Sequence, residues 1–122
     1  MLQERFPATG FLFPHSETVI ATLEAPHPAL GELVIEDDGD LAIATIGDIT
    51  HAHFYAFDRK HPYASKEVAE HLGDFLAKLF ADEIYLWNSA GSTGHGPMAK
   101  KRPKPKRGRS YFLWSGPYVP AG

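Results

Sequence analysis

The stretch THAHF, residues 50–54, sets two imidazoles, His51 and His53, two positions apart. In a β-strand alternate side chains share a face, so the two rings would project together from Cα atoms about 7 Å apart, a spacing that can chelate one metal ion. A metal site needs at least one more donor. His61, His71, His95 and Glu36 are candidates, but none stands at a diagnostic spacing and the chain contains no HExxH. Two other readings stay open: acid/base work by an imidazole, or two half-buried histidines hydrogen-bonded within a polar strip of the sheet. Beyond such a divalent metal, no cofactor is expected.

Charge is the second chemical feature. The chain carries 12 basic and 15 acidic residues, a net of -3. Seven of the basic residues fall in one acid-free run: Lys100, Lys101, Arg102, Lys104, Lys106, Arg107 and Arg109. A loop of +7 therefore belongs to a body near -10, with five basic against fifteen acidic residues outside the run. Such a run attracts phosphates without regard to base sequence. Single-strand binding also wants aromatic rings for stacking, and residues 95–109 offer none apart from His95. The alternatives are a solvated connection or a contact for an acidic protein. The acidic turn EDDGD (Glu36, Asp37, Asp38, Asp40) lacks the spaced ligands of a calcium loop and reads as a solvated hairpin tip.

Several classes are excluded or disfavoured. With no cysteine, there is no disulfide, thiolate metal site or cysteine nucleophile, and a reducing compartment is the natural one. No serine stands in a nucleophile elbow, and GSTGHG is not followed by a helical pattern, so no phosphate-cradling loop is supported. Glu4, Pro7 and Pro14 break the apolar run that a signal peptide needs, and no segment has the length of a membrane span. A soluble, cytoplasmic protein with no membrane association is expected.

The elements that must position these residues follow from periodicity. ETVIATLE, residues 17–24, predicts a first strand, and APHPA stops it. Asp38-Gly39 and Gly47-Asp48 read as two-residue turns, giving strands over 32–37, 40–46 and 49–57. With those turns Ile35 faces Ala42, Leu33 faces Ala44, Ala44 faces His51 and Ala42 faces His53. Small residues opposite the histidines would leave a shallow concavity bordered by Tyr55 and Phe57, open to a ligand or filled by a helix. A one-residue change in either loop would flip these faces.

Val68, Leu72, Phe75, Leu76, Leu79 and Phe80 fall at helical spacing, with Ser65 as a candidate N-cap. Gly73 costs that helix about 1 kcal/mol relative to alanine and predicts a close contact with the sheet. Strands return at 83–89 and 110–116, joined by a flexible basic loop over about 90–109, and Trp87, Tyr111, Phe112 and Trp114 are expected in the core. The expected fold is a single α+β domain over 1–122. An antiparallel twisted sheet of five or six strands carries one main helix on a face, in the order β-β-β-β-α-β-β.

GDITHAHFYAFD, followed by a helix and a strand, and the later YFLWSGP resemble small single-domain bacterial proteins of unknown function, some of them immunity proteins found beside toxin genes. The likeness spans about residues 31–117 and implies a binding role; it carries over no catalytic residue. The leading expectation is a non-enzymatic protein-binding module, an immunity-like inhibitor of a basic partner such as a toxin nuclease. The rivals are a small metal-dependent enzyme using His51 and His53, and nucleic-acid binding through the basic loop.

Overall fold

The computed structural model describes residues 2–39, 41–55, 64–98 and 107–118. Period-two alternation builds the first half of the chain into four strands, Val19–Glu24 (β1), Glu32–Asp37 (β2), Leu41–Ile46 (β3) and Thr50–Tyr55 (β4). They pair in chain order as one antiparallel sheet. Ala21, Leu23, Leu33, Ile35, Ala42, Ala44, Ile46 and Ala52 line its buried face. After the turn Leu2–Arg5 (α1) and these strands comes Ala64–Phe80 (α2), which lays Leu72, Phe75, Leu76 and Leu79 against that face.

A second antiparallel sheet follows: Ile84–Ser89 (β5), Ser92–Pro97 (β6), Ser110–Leu113 (β7) and Gly116–Tyr118 (β8), in the order β6-β5-β7-β8. Ile84 and Leu86 point toward α2, so the helix closes the core against both sheets. β4 and β6 adjoin but share no ladder. The α+β class with one main helix thus holds, whereas the single sheet of five or six strands is replaced by two sheets of four.

The difference has local causes. The segment expected as a loop from 90 onward begins as β6, which folds back on β5 through a turn at Gly91, where φ is +84°. The expected strand over 110–116 breaks at Trp114 and Ser115 into the β7–β8 hairpin. That turn is anchored to the end of α2. Asp82 adopts φ +57°, the Asp82 and Glu83 N–H groups donate to the Leu79 and Lys78 carbonyls in a Schellman arrangement, and the Asp82 carboxylate accepts from the Ser115 N–H (3.1 Å) and hydroxyl (2.7 Å). Trp114 then packs on Phe80, which also meets Phe6 and Phe11 from the N-terminal segment.

Two readings of the helix are corrected. It begins at Ala64, so Ser65 lies inside the first turn and is not its cap. Gly73 faces α1 instead of the sheet: a Cβ there would collide with the Arg5 guanidinium, which bonds Asp74 at 2.7 Å. Among the described residues no helix is long and apolar enough to cross a membrane.

Register decides what the first sheet displays. Between β2 and β3 the connection shifts the pairing by two residues from that of an Asp38-Gly39 turn, so Ile35 faces Ala44 and Leu33 faces Ile46, with the faces unchanged. Between β3 and β4 it is one residue longer, because Ile49 is drawn into the core at 4% exposure and its N–H closes the turn on the Ile46 carbonyl. One residue flips a strand. Ala44 therefore faces Ala52, Ala42 faces Phe54, and the expected pairing of alanines with histidines is overturned.

Candidate functional site

The flip puts Ala42 and Ala44 in the core and His51, His53 and Tyr55 on the outer face. The concavity expected between alanines and histidines does not form, because those residues lie on opposite sides of the sheet. Phe57, its other expected border, lies outside the described residues, as do His61, Asp40, Lys100, Lys101, Arg102, Lys104 and Lys106.

The cross-strand neighbours of His51 and His53 are Thr45 and Ile43. Their rings sit 5.0 Å apart, and His53 Nδ1 lies 3.3 Å from the Tyr55 hydroxyl. Glu36 is across β3 from His53, next to Ile43 in the ladder. Among the described residues no group of three histidine, aspartate or glutamate side chains is placed to hold a metal ion.

A shallow cleft of about 540 Å³ opens where β4, α2 and β6 meet, and it brings His53 and Tyr55 together with His71 and His95. His71 Nδ1 donates to the Tyr55 carbonyl at 3.1 Å, and its Nε2 lies 4.0 Å from the Glu67 carboxylate. His95 rests edge-on against Phe75, and its partial burial lowers its pKa below the usual imidazole value. Asp74, on the cleft wall, is held below the usual carboxylate range by the hydrogen bond from Arg5. The cleft mixes Asp74, Glu83 and Lys78 with these imidazoles, and among the described residues no serine, threonine or cysteine lines its wall.

His95 makes a pH prediction. The unfolded chain takes up a proton at this position near pH 6.5 and the folded chain only at lower pH. The stability it contributes is full above that value and is lost as the pH falls through the folded pKa. His95→Gln is expected to flatten the drop in urea midpoint between about pH 7.5 and about pH 5.5; an unchanged pH profile would show that His95 titrates as in the unfolded chain.

The outer face of the first sheet is the larger feature. One row crosses it from Leu12 through Thr22, Val34 and Thr45 to His51, the first step being a two-bond bridge of Leu12 to Thr22. A second row joins Glu36, Ile43 and His53. Among the described residues, the large apolar side chains left in solvent, Leu12 (68% exposed), Phe13 (45%), Ile20 (40%) and Tyr55 (41%), lie on or beside this sheet. Val34, Leu41 and Ile43 are only half-covered.

Among the described residues of β1 to β4, the formal charge has one sign. Glu24, Glu32 and Glu36 point outward, and β1 to β4 contain no lysine or arginine. Glu24 and Glu32 are directly opposed in the β1–β2 ladder, and no ion pair among the described residues compensates them. Like charges so placed cost a sheet a few tenths to about 1 kcal/mol. The alternation Glu32, Val34, Glu36 was visible in the sequence, but only the pairing of β1 with β2 reveals the opposed glutamates.

Of the basic run, Arg107 and Arg109 are described; Arg109 lies 3.6 Å above the Trp87 ring. Tyr111 and Trp114 are buried, Phe112 is half-buried against the core, and Trp87 is half-exposed on the far side of the second sheet. No family model matches this chain, and it matches neither a curated protein nor a solved structure.

Proposed function

We propose that this chain is a non-enzymatic protein-binding module whose outer β1–β4 face docks a basic protein partner. An immunity-like inhibitor that occludes a partner such as a nuclease is the form of this function that fits its charge. The reading rests on one observation: a sheet face, left uncovered by the described residues, that combines exposed Leu12, Ile20 and Tyr55 with three outward glutamates, its strands holding no lysine or arginine. Apolar surface supplies the contact area, and the glutamate row selects and steers a partner rich in lysine and arginine. A cation set between Glu24 and Glu32 would relieve the repulsion that the free protein carries.

Stability and binding should therefore move in opposite directions. Glu32→Lys is expected to raise unfolding stability by about 0.5 kcal/mol, because it turns a like-charge pair into an attractive one. The triple variant Glu24→Lys, Glu32→Lys, Glu36→Lys is expected to weaken the complex by at least about 100-fold. The experiment captures partners from the source cells with wild-type and triple-variant protein. The chain retained only by the wild type is purified, and its affinity is measured against salt. A basic partner whose affinity falls with salt and whose activity is suppressed supports the reading. A purified partner that binds the triple variant as tightly as the wild type contradicts it.

A further inference from the structure

The two sheets differ in charge: β1 to β4 carry Glu24, Glu32, Glu36 and Asp37, whereas β5 to β8 carry no charged residue of either sign, and Arg109 stands just before β7. On the second sheet the side turned away from α2 carries Tyr85 and Trp87 of β5, both half-exposed. Their partners on β6 are Gly96 and Gly94. Those glycines let the rings lie over the backbone: a Cβ on Gly94 would stand 2.6 Å from the Trp87 ring, and one on Gly96 would stand 2.6 Å from the Tyr85 hydroxyl. Each ring thus lies over the β6 backbone and stays partly exposed, with Tyr85 also tilted against Tyr111 at 6.0 Å between ring centroids. The Arg109 guanidinium stands over the Trp87 ring at 3.6 Å. A guanidinium stacked in this way keeps N–H donors at its rim, where phosphate oxygens or base edges can accept from them.

We infer that this face, built on Tyr85, Trp87 and Arg109, binds single-stranded nucleic acid. Tyr85 supplies the stacking surface for a base, and Arg109, held in place by Trp87, supplies the adjacent phosphate or base-edge contact. Arg107 is exposed next to it, and by sequence the connection between β6 and β7 carries five more basic residues. Arg109, the last cation of the basic run, is set by Trp87 on the same strand as Tyr85, so the described residues pair a cation with an aromatic surface. A single strand is favoured over a duplex because a ring can stack only on a base whose face is free. The site lies on the other sheet from the proposed protein-binding face, so either can fail without the other.

The test uses fluorescein-labelled dT20 and rU20 with the full chain, by anisotropy across a salt series, with inorganic polyphosphate as a base-free competitor. The expected result is an affinity for at least one oligonucleotide that falls with salt. Tyr85→Leu should lower it about tenfold, Tyr85→Phe should retain it, and Arg109→Gln should reduce the salt slope by about one. Comparison of the two oligonucleotides identifies the sugar that is preferred. Should Tyr85→Leu fail to fold, Arg109→Gln, at a half-covered surface position, and the competitor carry the test alone. The inference is overturned if neither oligonucleotide binds at low salt, or if folded Tyr85→Leu binds as the wild type does. It is equally overturned if polyphosphate competes as well as the oligonucleotides, which would make the basic run a polyanion or acidic-protein contact.

Discussion

Gly47→Ala is expected to destabilise the protein by about 3 kcal/mol or more, a large share of the 5–15 kcal/mol that holds a domain of this size together. Two effects add. Gly47 has φ +48°, where a residue with a Cβ pays about 1–2 kcal/mol. Its Cβ would also run into the carbonyl oxygen of Leu30, and no side-chain rotation can move a backbone atom aside. Leu30 is itself fixed, at 1% exposure and with its N–H bonded to the His27 carbonyl. The Gly47 N–H meanwhile donates to Glu32 at 2.9 Å, so any shift is transmitted to β2. Gly39 is the internal control: its φ is +78° but nothing lies near its missing Cβ, so Gly39→Ala should cost only the backbone part, about 1 kcal/mol. Urea unfolding of both variants with an unchanged m-value reads the difference directly; equal costs would show that the Leu30 contact is absent. The turn also decides what the sheet displays, because the added residue between Ile46 and Thr50 is what sends His51, His53 and Tyr55 to the outer face.

Leu76→Ala is expected to cost about 3–5 kcal/mol, at the upper end for such truncations. Leu76 is fully buried on the side of α2 that faces both sheets, between Leu72 and Leu79, and the helix is the one element that closes the core over β3, β4 and β5. A cavity there has little chance to collapse, since a ladder of hydrogen bonds holds each sheet in place. Val34→Ala removes a similar kind of group from the outer face and should cost well under half as much, because Val34 is only half-covered in the free protein. Thermal or urea unfolding gives both values. A Leu76→Ala loss below about 1 kcal/mol would mean that α2 is not the lid of a shared core.

Much of this architecture could be read from residues. The Val68 to Phe80 periodicity locates α2, and the strands at β1 to β4 follow from alternation and from glycine-marked turns. What alternation leaves open is the length of each turn. Ile49 looks like the first residue of β4 by type, yet its burial pulls it into the connection, and a single residue of that kind decides which side His51 and His53 occupy. The second sheet was legible only in part for a related reason. β6 is SerThrGlyHisGlyPro, a composition that reads as loop; it is a strand because Trp87 and Tyr85 cover its glycines from the neighbouring strand. That stabilisation is tertiary and leaves no mark on β6 itself. The acidic apolar face likewise depends on the pairing of β1 with β2, which brings Glu24 and Glu32 together from either side of a proline-bearing connection.

Methyl-resolved NMR of the labelled chain, titrated with the purified partner, decides whether the outer β1–β4 face is the docking surface. The predicted result is that the Leu12, Ile20, Val34 and Ile43 methyl resonances shift or broaden in proportion to complex formed, while those of Ile35 and Leu76 in the core change little. Perturbations confined to the second sheet or to the histidine cleft, with Val34 and Ile43 unmoved at saturation, would contradict it.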